Sequence, residues 1–217
     1  QYDAIVVDEA QDFMENWWFP LQLLLKEPDD GTLYLFYDDN QNIYGGLPDV
    51  VNLVHHQYPL YENCRNTQKI NGTVSAYYKG KYPPKALGPV GREVATHPYK
   101  TRREMLDVLR RVLHGLVVEE EVDVADIVVL TPIAPEKSAL ATSTSVGRFS
   151  LTTNWDVAPN EIYYTSIHSF KGLESPVVIL VEIEPTLHHK VQELMYIACS
   201  RARHHLVIIG HEDAIDA

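Results

Sequence analysis

Residues 4–13 read AIVVDEAQDF, a four-residue apolar run that ends in the carboxylates Asp8 and Glu9. Open α/β sheets bind their ligands at the carboxyl ends of the strands, so this pair would sit where chemistry is done. Oxygen ligands suit a hard cation such as Mg²⁺, which makes Asp8 a candidate for a metal shell, reached through water. A second carboxylate beside it can orient or deprotonate an attacking water, the candidate role of Glu9. A solvated Asp-Glu turn at a strand end explains the same residues equally well. A glycine-rich phosphate loop would complete the site, and the chain lacks one. Its single Gly-Lys pair, Gly80-Lys81, is followed by Tyr82, and Ser75 stands where the earlier glycine of G-x-x-x-x-G-K-[ST] belongs. The chain as written is expected to bind nucleotide poorly.

Four later blocks turn this half-site into a pattern. They are YDDNQNIYGG at 37–46, LYENCRNTQKI at 60–70, TSIHSFKGLESPVVIL at 165–180 and ELMYIACSRARHHLVIIG at 193–210. With DEAQD at 8–12 they resemble, in order and spacing, motifs II to VI of the UvrD/Rep-type superfamily 1 DNA helicases. The resemblance covers nearly the whole chain. It implies a RecA-like P-loop NTPase fold, an α/β three-layer arrangement around a mainly parallel sheet. It also implies an ATP- and Mg²⁺-dependent DNA helicase or translocase acting on single-stranded DNA, of which this chain is the C-terminal motor half. By position, Asp8 is then the Mg²⁺-linked acid, Glu9 the catalytic base and Gln41 the sensor of the terminal phosphate. Arg65 and Arg201 are the arginines directed to the γ-phosphate, as planar guanidinium donors suit a transferring phosphoryl group. Gly172 and Glu174 lie near the phosphates and ribose, Lys171 helps to position their loop, and Ser166 and His168 face single-stranded DNA.

The sequence also departs from that family. The phosphate loop is expected in an upstream part of the same polypeptide. Residues 1–56 would then be the tail of a first RecA-like domain and 57–217 a second one. After Ile43-Tyr44 the family continues with an aromatic residue and an arginine that touch DNA, whereas this chain reads Gly45-Gly46-Leu47. Ser200 replaces the usual threonine and keeps the hydroxyl. Between Arg65 and Ser166, two βα units and a loop leave no room for the helical subdomain that large members insert. The alternative reading is a loop-less, non-catalytic relative that binds DNA or protein.

Elements that could position these residues follow from hydrophobic periodicity. Apolar runs predict strands at 4–7, 33–37, 59–62, 93–97, 127–131, 162–165, 177–181 and 206–209, several without alternation, as in strands covered on both faces. Helical spacing places Ile70, Val74 and Tyr77 on one face of 68–78 and Leu106, Leu109, Leu113 and Leu116 on one face of 102–117. A further helix is predicted over 189–203. Residues 134–160, rich in Ser and Thr, read as one short helix near 135–141 and then a long loop. The Tyr/Lys stretch at 76–88 could stack bases, but a wet loop closing the preceding helix explains it better.

Composition sets the outer limits. The 217 residues carry a net charge of -12, which excludes a general basic coat for nucleic acid and confines any such contact to a local groove. Hydrophobic residues make up 45%, enough to bury a core. Two cysteines 135 positions apart suggest neither a disulfide framework nor a zinc site, and a reducing cytoplasm fits. No run is apolar enough for a membrane span and no secretory leader is visible. The pairs His55-His56, His188-His189 and His204-His205 invite a metal reading, but adjacent side chains on a helix or strand do not face one ion.

Overall fold

The run Ile127-Val-Val-Leu-Thr131 is apolar without alternation, and all five of its residues are buried. In the computed structural model, which describes residues 1–41, 56–143, 145–187 and 191–215, this strand lies at the centre of the larger sheet. The described chain divides into two compact units, residues 1–61 with 79–83, and residues 62–78 with 84–217.

Unit 1 pairs β1 (Ala4–Val7) with β2 (Thr32–Leu35) in parallel. The pleat sends Ile5, Val7, Leu33 and Leu35 towards Ala10 and Trp18. Trp18 comes from α1 (Glu15–Gln22), a helix that the periodicity did not predict. The opposite face of the sheet is bare: Val6, cross-strand from Tyr34, is 64% exposed and Tyr34 is exposed too. A parallel pair covered on one face only is unusual, because crossover connections ordinarily bury both.

Unit 2 holds a two-stranded pair, β3 (Glu62–Asn63) with β4 (Lys85–Ala86), and a seven-stranded sheet. Its strands are β5 (Ala95–Tyr99), β6 (Ile127–Thr131), β7 (Ser145–Val146), β8 (Phe149–Thr152), β9 (Glu161–Ser166), β10 (Ser175–Ile183) and β11 (Ala202–His211). They lie in the order β5-β11-β10-β6-β9-β8-β7, and every pairing except β7 with β8 is parallel. One face carries Val129, Val177, Ile179, Val207 and Ile209 against α3 (Arg102–His114), which contributes Met105, Val108, Leu109 and Leu113. The alternate residues Val178, Leu180, Leu206 and Ile208 are also buried, on the side of α2 (Gln68–Ala76) and α4 (Val191–Ser200). Helix, sheet and helix therefore form three layers. A short α5 (Glu212–Ile215) ends the described chain.

Three expectations are corrected. The strand at 59–62 reduces to Glu62–Asn63, with Tyr58 and Leu60 exposed; Pro59 has no N–H to give a ladder. The short helix expected near 135–141 is two 3₁₀ turns, and the long loop expected after it contains the β7-β8 hairpin, whose turn at Gly147 has φ 66°. Helix 102–117 ends its α part at His114 and continues as a π turn, Gly115–Glu119.

His205, on β11, carries a buried Nδ1 with no hydrogen-bond partner among the described residues. Burial, then the Arg92 charge, push its pKa below 6.5, against the opposing pull of Glu120; His97 is lowered by burial and Arg111. A lowered folded-state pKa means that the unfolded chain binds the proton first, so stability falls as pH drops below the unfolded value of 6.5. The melting temperature should drop between about pH 7.5 and about pH 5.5, and less so in His205→Gln.

Candidate nucleotide and nucleic-acid site

At the carboxyl end of β1 the chain turns sharply. Glu9 adopts the left-handed conformation, φ 50° and ψ 42°, which costs a non-glycine residue about 1–2 kcal/mol. Asp8 is exposed and its Oδ1 accepts from the Glu9 N–H at 2.9 Å. Gln11, wholly buried, donates from Nε2 to the Glu9 carboxylate, while its Oε1 accepts from the Asp38 N–H at 3.1 Å. Asp38 in turn accepts from Gln41 Nε2 at 2.8 Å and from the Asn40 N–H at 2.9 Å. The acids at 8–9 and Gln41 are thus joined by a relay through Gln11 and Asp38, two residues that sequence reasoning passed over. Both lie inside the quoted motif blocks, and a buried glutamine flanked by carboxylates was the available signal. Replacing Glu9 by glycine relieves the left-handed backbone but strands the buried Gln11 amide at about 1–3 kcal/mol, so stability measured by urea denaturation should not rise.

The arginines of unit 2 meet on a different scaffold. Asn63 caps its own turn, its Oδ1 accepting from the N–H groups of Arg65 (3.0 Å) and Asn66 (3.1 Å). Its Nδ2 donates to Asn66 Oδ1 at 2.7 Å and to Asn71 Oδ1 at 2.8 Å. Asn66, buried, sends Nδ2 to the carbonyls of Ser200 (3.1 Å) and Ala202 (2.6 Å), the two residues that flank Arg201. One asparagine therefore stitches the Arg65 turn to the Arg201 turn. Gly88 lies so close that a Cβ there would stand 2.4 Å from the Asn66 carbonyl oxygen.

Arg201 is 1% exposed. Its Nε donates to the Ile197 carbonyl at 3.1 Å, one terminal nitrogen to Ser200 Oγ at 2.8 Å, and the other to the Leu173 carbonyl at 3.3 Å. Next to Leu173, Glu174 takes two half-exposed guanidinium groups, Arg65 Nε at 2.8 Å and Arg203 Nε at 3.5 Å. Arg203 is a further residue missed by the sequence reading, because an exposed arginine after a motif arginine gives no distinguishing pattern.

Ser166 ends β9 and is buried, its hydroxyl sharing a hydrogen bond with Ser169 at 2.8 Å. His168, half-buried, and Lys171 occupy the turn that follows; the Lys171 N–H donates to the His168 carbonyl. Gly172 has φ 82°, a conformation that a side chain would strain even though the space beside it is open. Residues 43–47, where Gly45-Gly46-Leu47 replaces the family's DNA-touching pair, and His55, His188 and His189 lie outside the described residues. Among the described residues, no group of three His, Cys, Asp or Glu is placed to hold a metal. A single carboxylate at a strand end still fits Mg²⁺, which keeps most of its water shell. Both cysteines are free, and burial pushes the Cys199 thiol up to about 12. None of the helices among the described residues is long and apolar enough to cross a membrane.

A three-layer, mostly parallel sheet with ligand-type residues at its carboxyl edge is the RecA-like α/β fold. Similar solved structures include PRRSV helicase, with 19% identity, TM-score 0.52, and coverage of 96% of this chain and 34% of that one. The chain thus spans about a third of that helicase. Another is the C-terminal domain of a possible DNA helicase from Lactobacillus plantarum WCFS1, with 20% identity, TM-score 0.46, and coverage of 69% and 88%. None of the curated proteins matches the sequence. Residues 161–209 match the family model of the UvrD-like helicase C-terminal domain, and the resemblance to the C-terminal part of the UvrD/Rep type is borne out. That segment contains Ser166, His168, Lys171, Gly172, Glu174 and Arg201, whereas Asp8, Glu9, Gln41 and Arg65 precede it.

Proposed function

We propose that this chain is the C-terminal motor half of an ATP-dependent DNA helicase or translocase. Residues 1–56 are the end of a first RecA-like domain and 57–217 the second, without an inserted helical subdomain. The phosphate loop belongs to an upstream part of the same polypeptide. The observation that carries the reading is the Asn66 stitch: residues 134 and 136 positions apart are bonded so that Arg65 and Arg201 are held on adjoining turns. A phosphoryl group in transfer spreads charge over its oxygens, and a pair of guanidinium groups suits that charge.

Each unit contributes its own part. In the first, Asp8 would hold Mg²⁺ through water, and the ion would neutralise phosphate charge. Glu9, its carboxylate fixed by Gln11, acts as base towards the attacking water, and Gln41 reports on the terminal phosphate through Asp38. In the second, Arg65 and Arg201 stabilise the transferred group, Glu174 meets the ribose once released from its arginines, and Gly172 and Lys171 shape the loop beneath. Ser166 and His168 face single-stranded DNA. The bare Val6 and Tyr34 face of the β1-β2 pair supports the upstream remainder, because a complete RecA-like sheet would cover it. The setting is cytoplasmic.

One observation favours the non-catalytic alternative: the Arg201 guanidinium already has backbone and hydroxyl partners and almost no exposure. DNA-stimulated ATP turnover separates the two. The motor reading expects turnover by the longer polypeptide, its loss in Glu9→Gln with DNA binding kept, and none from residues 1–217 alone. Turnover by the isolated chain, or an active Glu9→Gln protein, contradicts it.

A further inference from the structure

The carboxyl edge of the seven-stranded sheet carries a feature that no motif accounts for. Thr152, the last residue of β8, lies beside Tyr163 of β9 in parallel register, and β9 runs on to Ser166. The chain leaving β8 therefore passes along the edge at which the turn 167–172 begins. Trp155 stands there, 60% exposed. Its indole meets the Tyr163 ring edge-on, with centroids 5.0 Å apart at 77°. It lies over the Phe170 ring at 6.0 Å and only 31° from parallel. Phe170 is fully enclosed, so the indole is held against two rings, one of them fixed in the core, while Trp155 stays largely exposed.

We propose that Trp155 is a stacking platform for one base of a single-stranded nucleic acid, adjoining Ser166 and His168. This rests on the reading of the β9 edge as the nucleic-acid face. Every base offers a π-face, and an aromatic ring next to a backbone-tracking cation is the usual device for binding a strand without reading its sequence. Lys171 directly follows Phe170 and supplies such a cation. The two ring contacts hold the indole before binding, so little rotamer freedom is lost when a base arrives. Asp156 is exposed beside Trp155 and the chain is acidic overall, so with Lys171 as the neighbouring cation the salt dependence is shallow and stacking carries most of the affinity.

The test is a titration of residues 1–217 with labelled oligo-dT and oligo-U at low salt, followed by anisotropy and by tryptophan emission. Trp155→Ala should weaken binding about tenfold on both strands, while Trp155→Phe binds nearly as the parent does. In Trp155→Phe, which retains Trp17 and Trp18, the quenching of emission by oligonucleotide should vanish. If Trp155→Ala binds unchanged while His168→Ala is weakened, the platform is overturned and the nucleic-acid face stands. If quenching persists in Trp155→Phe, the platform is likewise overturned, whatever the alanine variant does to folding. If the parent chain binds neither strand, both the platform and the face fall.

Discussion

Arg201→Lys in the longer polypeptide is expected to lower ATP hydrolysis by about 10³-fold, the lower end of the range for an arginine that stabilises a transferring phosphoryl group. A lysine keeps the charge but loses the planar fork, which here reaches Ile197, Ser200 and Leu173 at once. The same bonds give the variant a structural signature. Arg201→Ala would leave the Ile197 and Leu173 carbonyls without these donors in a closed interior, at about 1–3 kcal/mol for each polar group. Both effects are therefore expected from alanine, and lysine separates them in part. A scaffold role predicts loss of stability without loss of turnover, whereas the motor role predicts a turnover defect in Arg201→Lys far larger than its change in melting temperature.

Glu182→Ala is expected to destabilise unit 2 by about 3–5 kcal/mol, because three donors lose their acceptor at about 1–3 kcal/mol each. Glu182 lies near the end of β10, 8% exposed and left-handed at φ 58°. Its Oε2 accepts from the hydroxyls of Thr131 and Ser138, each at 2.6 Å, and its Oε1 accepts from the Ala139 N–H at 2.7 Å. One carboxylate thus ties the end of β6 and the 3₁₀ turns at 135–142 to the sheet. Alanine strands the three donors. Glutamine retains an oxygen for Ala139 and offers an amide to hydroxyls that can turn and accept, so Glu182→Gln should cost only about 1 kcal/mol. Urea denaturation measures both values, and hydrogen exchange at Ala139 and Leu140 should quicken sharply in the alanine variant alone.

Most of the strands that were legible are buried on both faces, and β1, read to its residues with one face bare, is the exception. β6 was read to its exact residues because an unbroken Ile-Val-Val-Leu run has no other stable place. β10 and β11 were placed but read short, since Ser175, Pro176 and the Arg203-His204-His205 stretch do not look like strand. The β7-β8 hairpin was lost because Ser and Thr dominate it. Its apolar signal was only Val146 and Phe149, buried on either side of Gly147, and the half-buried Leu151. Helix α1 was lost because ENWWFPLQ contains Pro20 and buries only Trp18.

The candidate site was legible as residue types in order, not as geometry. Nothing in NCRN announces that Asn66 will bond the carbonyls around Arg201, since backbone acceptors leave no trace in sequence. The pairing of Arg65 and Arg203 on Glu174 was hidden because it depends on tertiary packing: β10 beside β11 brings Glu174 to Arg203, and the Asn66 bonds bring the Arg65 turn to the same place.

The most direct measurement of the central claim is the affinity of the longer polypeptide for ADP with aluminium fluoride, a mimic of the transferring phosphoryl group, against ADP alone. Analogues of this kind bind more tightly than ground-state ligands by about 10²-fold or more. The account predicts that Arg65→Ala and Arg201→Lys each abolish most of that difference and leave the affinity for ADP itself nearly unchanged. If both variants retain the full preference for the fluoride complex, the arginines of this chain do not serve phosphoryl transfer, and the motor reading is contradicted.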